Sequence, residues 1–365
     1  MDFSKIFLEK ACPTSIGGQA IIEGIMMRGS DRTAIAVRLP DGAVHLKTEK
    51  LTAPSGVMKI PLIRGVFSFA SALVVGTKTL MYSADVLERY ERENAERLAI
   101  FREQKKASGE TVSETGAYEK DKVTIFLEKH LGEKGAWNFL MYFSAIIAVV
   151  FSVAVFILLP TALVNFLQLY ISSGIALNLI EGVFRILLFV VYILLISKMP
   201  DIRRVFQFHG AEHKCIHCFE NNLELTPANC QEFYTLHPRC GTSFLMFVMI
   251  ISLILFSLLG WPNLLLRVAS RLLLLPVIAG LSYEVLKLAG RSNSSIVKIL
   301  SLPGLYLQKI TTKEPDTEHL EMAIIAMKAV LVPKDTPEIS IYLPSYDAFS
   351  DSDFLARERS EEALN

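Results

Sequence analysis

From Phe139 to Phe166 the chain runs without a single charged residue. About 20 apolar residues cross the hydrocarbon core of a bilayer as a helix, and only a helix or a closed barrel satisfies its own backbone there. This stretch commits the chain to a helical membrane architecture. Three more runs extend the pattern: Leu177 to Ile196 carries Glu181 and Arg185, Ser243 to Gly260 is uncharged, and Leu264 to Leu288 carries Arg267, Arg271 and Glu284. A fifth, Leu62 to Met81, is dense in small residues and just long enough to span, but Arg64 and Lys78 near its ends favour an interfacial or protein-packed helix, so whether it spans stays open. The sequence therefore predicts an α-helical polytopic membrane protein of about four transmembrane helices with a small cytoplasmic α+β portion.

Charge sets the orientation. The links Gln168 to Ala176 and Trp261 to Asn263 contain no Lys or Arg, whereas Lys198, Arg203, Arg204, Lys214, Arg239, Lys287, Arg291 and Lys298 flank the opposite ends. Positive charge marks the inner face, so both termini are expected in the cytoplasm of a multi-pass plasma (inner) membrane protein, with the lipid bilayer as its partner. The start, Met1-Asp-Phe-Ser-Lys, has no basic region ahead of an apolar core, so no cleaved signal is expected. Formal net charge is zero, which leaves no basic field for nucleic acid.

Seven segments follow. Residues 1–60 hold a glycine-rich stretch, Ile16 to Gly29, and a β-hairpin, Thr33 to Leu39 and Ala43 to Lys50, around Pro40-Asp-Gly42. Residues 61–135 hold the interfacial helix, a charged helix at Leu87 to Lys106 and a Ser/Thr/Gly/Glu linker at Ala107 to Gly116. Residues 136–197 and 243–290 carry the transmembrane pairs, and 198–242 a His/Cys loop between them. Residues 291–332 form a C-terminal motif and helix, and the polar tail 333–365 is expected to be mobile.

Four of the seven histidines and four of the five cysteines fall in the His/Cys loop. In a helix, residues four apart share a face, so His209 and His213 present both imidazoles to one cation, with Glu212 on the adjoining face. The string His-x-x-Glu-His has the spacing of the inverted zincin motif, in which the glutamate takes a proton from water rather than binding the metal. Leu236-His-Pro-Arg-Cys-Gly supplies His237 and Cys240 as further ligands, making a divalent cation, zinc by donor type, the implied cofactor. Cys215 and Cys218 form a separate Cys-x-x-Cys, accessory to that set. The bland alternatives stay open: a polar stripe on a juxtamembrane helix, a structural Glu181–Arg185 pair at four-residue spacing, a turn cap for Glu23 and a local salt bridge for Arg239.

Four ordered stretches resemble a known family: Gly17-Gly-Gln-Ala-Ile-Ile-Glu-Gly-Ile-Met-Met-Arg-Gly29, His209-Gly-Ala-Glu-His-Lys214, His237-Pro-Arg-Cys-Gly-Thr-Ser-Phe244, and Pro303-Gly-Leu-Tyr-Leu-Gln-Lys-Ile-Thr-Thr-Lys-Glu-Pro-Asp316. In that order they are similar to the YqhQ-like family of bacterial membrane proteins, labelled predicted metal-dependent enzymes. The resemblance implies functional weight at Glu23, Arg28, His209, Glu212, His213, Lys214, His237, Arg239, Cys240, Gln308, Thr311, Thr312 and Glu314. Tyr306 and Lys313 depart from the tryptophan and arginine frequent in that family.

The first functional expectation is a membrane-embedded metal-dependent hydrolase, with other membrane proteins or a lipid substrate as partners beside the bilayer and the substrate itself left open. Its metal ligands are drawn from His209, His213, His237 and Cys240, and its catalytic residues are Glu212 as general base, with Glu23 and Arg239. The second is a non-catalytic assembly or regulatory factor whose His/Cys loop is structural. A transporter, suggested by charges inside the spans, ranks last.

Overall fold

A computed structural model describes residues 14, 16–51, 56, 60–95, 97, 100, 122–259, 264–289, 294–346 and 349. The linker 107–116, the link 261–263 and most of the tail lie outside the described residues. The chain is mostly helical, with one small antiparallel sheet and two compact units: residues 1–93, 193–251 and 274–365 make the first, and 94–192 with 252–273 the second.

The sheet belongs to the first unit. Strands β1 (Gly17–Ile21), β2 (Gly24–Arg28), β3 (Arg32–Arg38), β4 (Val44–Lys50) and β5 (Ser340–Leu343) run as an antiparallel meander in chain order. The expected hairpin is β3–β4, turning at Gly42, whose φ of +88° suits glycine. The glycine-rich stretch forms a second hairpin, β1–β2, that the sequence does not announce as strand. Glycine is needed at its heart because a Cβ on Gly24 would lie 2.1 Å from the Ala36 carbonyl oxygen of β3. The tail also departs from expectation, since β5 pairs with the exposed edge of β4. An unpaired edge offers a row of backbone donors and acceptors, and polar composition alone does not keep a nearby segment from taking them. Buried Arg32 helps hold that segment by donating to the carbonyls of Pro333, Lys334 and Thr336.

Both faces of the sheet are covered. On one, Ile21, Met26, Ile35, Val37 and Leu39 pack on Val86 of α1 (Ile63–Glu93). On the other, Ile25, Met27, Ala34 and Ala36 meet α5 (Pro200–Glu220) and α10 (Thr317–Leu331). Helix α10 is apolar nearly all round, so it sits as a core helix. Also described are α2 (Lys122–Val153), broken at Gly132, a π-helical turn (Ala154–Leu158), α3 (Leu159–Leu167), α4 (Gly174–Ile196), α6 (Pro227–Gln231), α7 (Gly241–Ser257), α8 (Leu264–Ala289) and α9 (Ser295–Thr311).

Among the described residues, four helices are long and apolar enough to cross a membrane: Ile63–Glu93, Tyr142–Leu167, Gly174–Ile196 and Ala269–Leu288. Two differ from the sequence reading. Helix α1, left open by the sequence, qualifies, and its apolar start and charged end form one helix of 31 residues rather than two. The run expected at 243–260 becomes α7, whose 17 residues span about 25 Å against a core of about 30 Å.

Candidate metal centre

Proline at the first turn and Asp201 beside it start α5, which then carries the His-x-x-Glu-His string into the core of the first unit. Four-residue spacing brings the His209 and His213 rings together on one face, edge to face with centroids 4.5 Å apart. Each ring is oriented by a backbone carbonyl. Nδ1 of His209 donates to Thr311 O at 2.8 Å, and Nδ1 of His213 donates to Thr235 O at 2.5 Å. A carbonyl only accepts, so both Nδ1 atoms carry the proton and both Nε2 lone pairs are left for another partner. Nε2 of His213 is buried and has no hydrogen-bond partner.

Cys240 completes the cluster from the end of the loop before α7. Its Sγ lies 3.0 Å from His209 Nε2, and ligand atoms of His209, His213 and Cys240 all fall within 4.8 Å of one another. Burial works to raise the Cys240 thiol, but His213 and Thr242 outweigh it and draw the thiol below its ordinary range. The Thr242 amide at the start of α7 donates to the sulfur at 3.4 Å, which favours a thiolate. Burial drives the His213 imidazole down to about 4, so it is neutral, the form that binds metals.

Glu212 stands beside this group and outside it. Its Oε1 accepts from the Gly18 amide at 2.8 Å, and burial pushes its carboxyl up to about 7, against the pull of His209. That approach requires glycine on β1, since a Cβ on Gly18 would meet the Glu212 Cδ at 3.0 Å and the Met26 carbonyl oxygen at 2.6 Å. The late motif braces the loop: Gln308 accepts from the His237 amide and donates to the His237 carbonyl and to Ser243 Oγ, each at 2.8 Å. The N-terminal glycine motif, the His/Cys loop and the late motif thus meet at one place.

The remaining expected residues go elsewhere. His237 is held by Gln308 so that its Nδ1 accepts from the Arg239 amide and its Nε2 faces Glu220 at 3.9 Å. Burial holds it at about 3, so it is neutral. Arg239 ion-pairs with Glu220 and donates to the Thr14 carbonyl. Although burial disfavours the Glu220 charge, His237, the Thr14 amide and Arg239 bring that carboxyl down to about 2. Glu23 pairs with Arg204 at 2.6 and 2.5 Å from the β1–β2 turn, where its own φ is +51°. Cys215, Cys218 and Cys230 are buried thiols in the core under the sheet; Cys218 is pushed up by neighbouring Cys230 and by burial, which leaves it inert as a nucleophile. Thr235 and Gly18 were missed by sequence reasoning because a carbonyl or amide contribution leaves no side-chain signature, and Glu220 because its partner Arg239 lies 19 residues away on another element.

The family described as "Protein of unknown function (DUF1385)" matches residues 60–332. The chain is also 36% identical over 323 residues to "Uncharacterized protein YqhQ" of Bacillus subtilis (strain 168), covering 87% of this chain and 93% of that protein. The chain belongs to the YqhQ-like family. His209, His213, Cys240 and Glu212 of this YqhQ-like protein fall inside the matched region, while Gly18 of β1 precedes it. No solved structure matches the chain.

Proposed function

We propose that this YqhQ-like protein is a membrane-embedded, metal-dependent hydrolase, with a divalent cation held by His209, His213 and Cys240 at the cytoplasmic face and Glu212 as general base. The observation that carries the proposal is the buried, unpartnered Nε2 of His213 aimed into a cluster where His209 Nε2 and Cys240 Sγ also converge. A buried polar atom without a partner is costly, and a cation removes that cost here. Two imidazoles and one thiolate suit zinc and leave a fourth position, the pattern of catalytic rather than closed sites. A divalent cation supplies Lewis acidity and acidifies a water that it binds. Glu212, held at one carboxylate oxygen by the Gly18 amide, would serve as the base for such a water.

Membrane insertion is read from the four apolar helices and from parity. Gly18 bonds Glu212 and Gln308 bonds His237, so an even number of crossings separates each pair. The α2–α3 run with α4, and α7 with α8, satisfy this count; α1 as a further span does not. The second half of α1 supports the same reading, because Tyr82 bonds His45 and Val86 lies in the sheet core. Helix α7 then crosses where the bilayer thins or flanking side chains reach outward, as short spans do.

Gentle detergent extraction followed by metal analysis is expected to give about one zinc per chain. His213→Ala should lose it. Glu212→Gln should keep the metal and lose turnover on ester, amide and phosphoester panels. Protein without metal sinks the proposal. A second reading, a structural metal clasp in an assembly factor, is favoured by the burial of the group: Glu212 is 5% and His213 1% exposed, and the nearby cavity of about 250 Å³ is lined by Gly17, Gly18, Gln19 and Gly76 rather than by the ligands. Under it Glu212→Gln is silent in cells while His213→Ala is not.

A further inference from the structure

The cavity of about 250 Å³ in the first unit opens between the β1–β2 hairpin and α1, on the sheet face away from the metal centre. Gly17 pairs with Arg28 and Gln19 with Met26, and alternation along the strands turns these four positions toward α1. Gly18, opposite Met27, faces Glu212 instead. Across the cavity stand Ala72, Val75 and Gly76 of α1. Helix and strand are tied beside it, because Gln19 Nε2 donates to the Gly76 carbonyl at 3.3 Å and a Cβ on Gly76 would lie 2.6 Å from Gln19 Oε1.

Packing explains Gly76 but leaves two other features of the wall without a reason. A Cβ on Gly17 would meet nothing within 4 Å, and its φ is not left-handed, so neither contact nor conformation requires glycine there. Directly across the hairpin, Arg28 is exposed and has no ion-pair or hydrogen-bond partner among the described residues. A bare stretch of backbone beside an unpaired guanidinium gives an anionic group both room and charge. The rest of the wall, Met26, Ala72 and Val75, is apolar, and α1 carries that character outward, with Leu73 and Val74 55% and 54% exposed. A volume of about 250 Å³ is below the roughly 300–1,000 Å³ that encloses a drug-sized ligand. The occupant therefore enters by one end.

We propose that this cavity binds the phosphate end of an anionic glycerophospholipid, with Arg28 pairing to the phosphate and the acyl chains lying along the exposed apolar face of α1. Free phosphate shares the charge but makes no use of the apolar wall. A zwitterionic headgroup brings its own cation beside Arg28, which weakens the pairing. The site rests on the membrane insertion read above and is independent of the metal.

The test follows thermal unfolding of the full chain, extracted from membranes into a neutral maltoside, with soluble dihexanoyl phosphatidylglycerol, dihexanoyl phosphatidylcholine, and inorganic phosphate at matched ionic strength. Phosphatidylglycerol should raise the midpoint saturably and well above both others. In Arg28→Gln the half-saturating concentration should rise about tenfold. Gly17→Leu, which places a side chain in the open space, should unfold at the parent midpoint without lipid and lose the response. No shift with phosphatidylglycerol, an equal response to phosphatidylcholine or to inorganic phosphate, or an unchanged response in either variant overturns the proposal. A chain recovered without membranes removes the membrane reading and this site together, whereas a membrane-extracted chain that fails to respond removes the site alone.

Discussion

His213 and His237 look alike in the sequence and end in different roles, because each ring is set by what the main chain around it is bonded to. His213 has its Nδ1 fixed by a carbonyl and its Nε2 free for a ligand, while His237 is turned toward Glu220 by Gln308. The four-residue spacing made His209 and His213 legible. The choice of Cys240 over His237 was not, since two residues of one loop are separated only by the path of the backbone. His319 gives a test at this scale, well away from the ligands. Both of its ring nitrogens are buried without hydrogen-bond partners, and burial, with Arg204 adding to it, lowers its pKa to about 4 from an ordinary 6.5. Above pH 6.5 neither the folded nor the unfolded state binds the proton. As pH falls from there toward 4 only the unfolded state does, so stability declines, by about 3 kcal/mol at pH 4. His319→Leu should make that part of the pH–stability curve, measured by denaturant unfolding, shallower, leaving the share of the other buried histidines such as His213 and His237. An unchanged slope between pH 6.5 and 4 would show that His319 is not the group responsible.

At the scale of elements, α5 and the segment after α9 approach more closely than side chains normally permit. A Cβ on Gly210 would lie 2.1 Å from the Lys313 carbonyl oxygen, and the Lys313 amide already donates to Phe206 O at 2.9 Å. Gly210→Ala must push those segments apart and should lower stability by about 2–4 kcal/mol. Gly17→Ala, where a Cβ meets nothing within 4 Å, serves as the control. Equal unfolding midpoints for the two variants would contradict this packing. The long apolar helices, α10 and the β3–β4 hairpin were readable from periodicity and turn residues, whereas α5, inside a stretch read as a loop, and α9 were not. Strands β1, β2 and β5 were not: β1 is glycine-rich, β2 and β5 are only five and four residues long, and these strands form because β3 and β4 present edges to pair with.

For the molecule as a whole, the contacts of Gly18 with Glu212 and of His237 with Gln308 constrain which helices cross together. In intact cells a membrane-impermeant thiol reagent is expected to label Ser172→Cys, in the link after α3. Leu223→Cys, after α5, should be labelled only once the membrane is opened. The reverse pattern would invert the orientation, and labelling of both from outside would remove the α4 span. The sequence by itself determined the apolar runs, the charge asymmetry between their ends, and the pairing of His209 with His213 beside Glu212, because each depends on residues close together along the chain. Only the tertiary structure decided that Cys240 joins those histidines, that the Gly18 amide orients Glu212, and that half of α1 belongs to the sheet. Those outcomes depend on where distant stretches of backbone meet, and a carbonyl or amide placed by folding has no residue type to announce it.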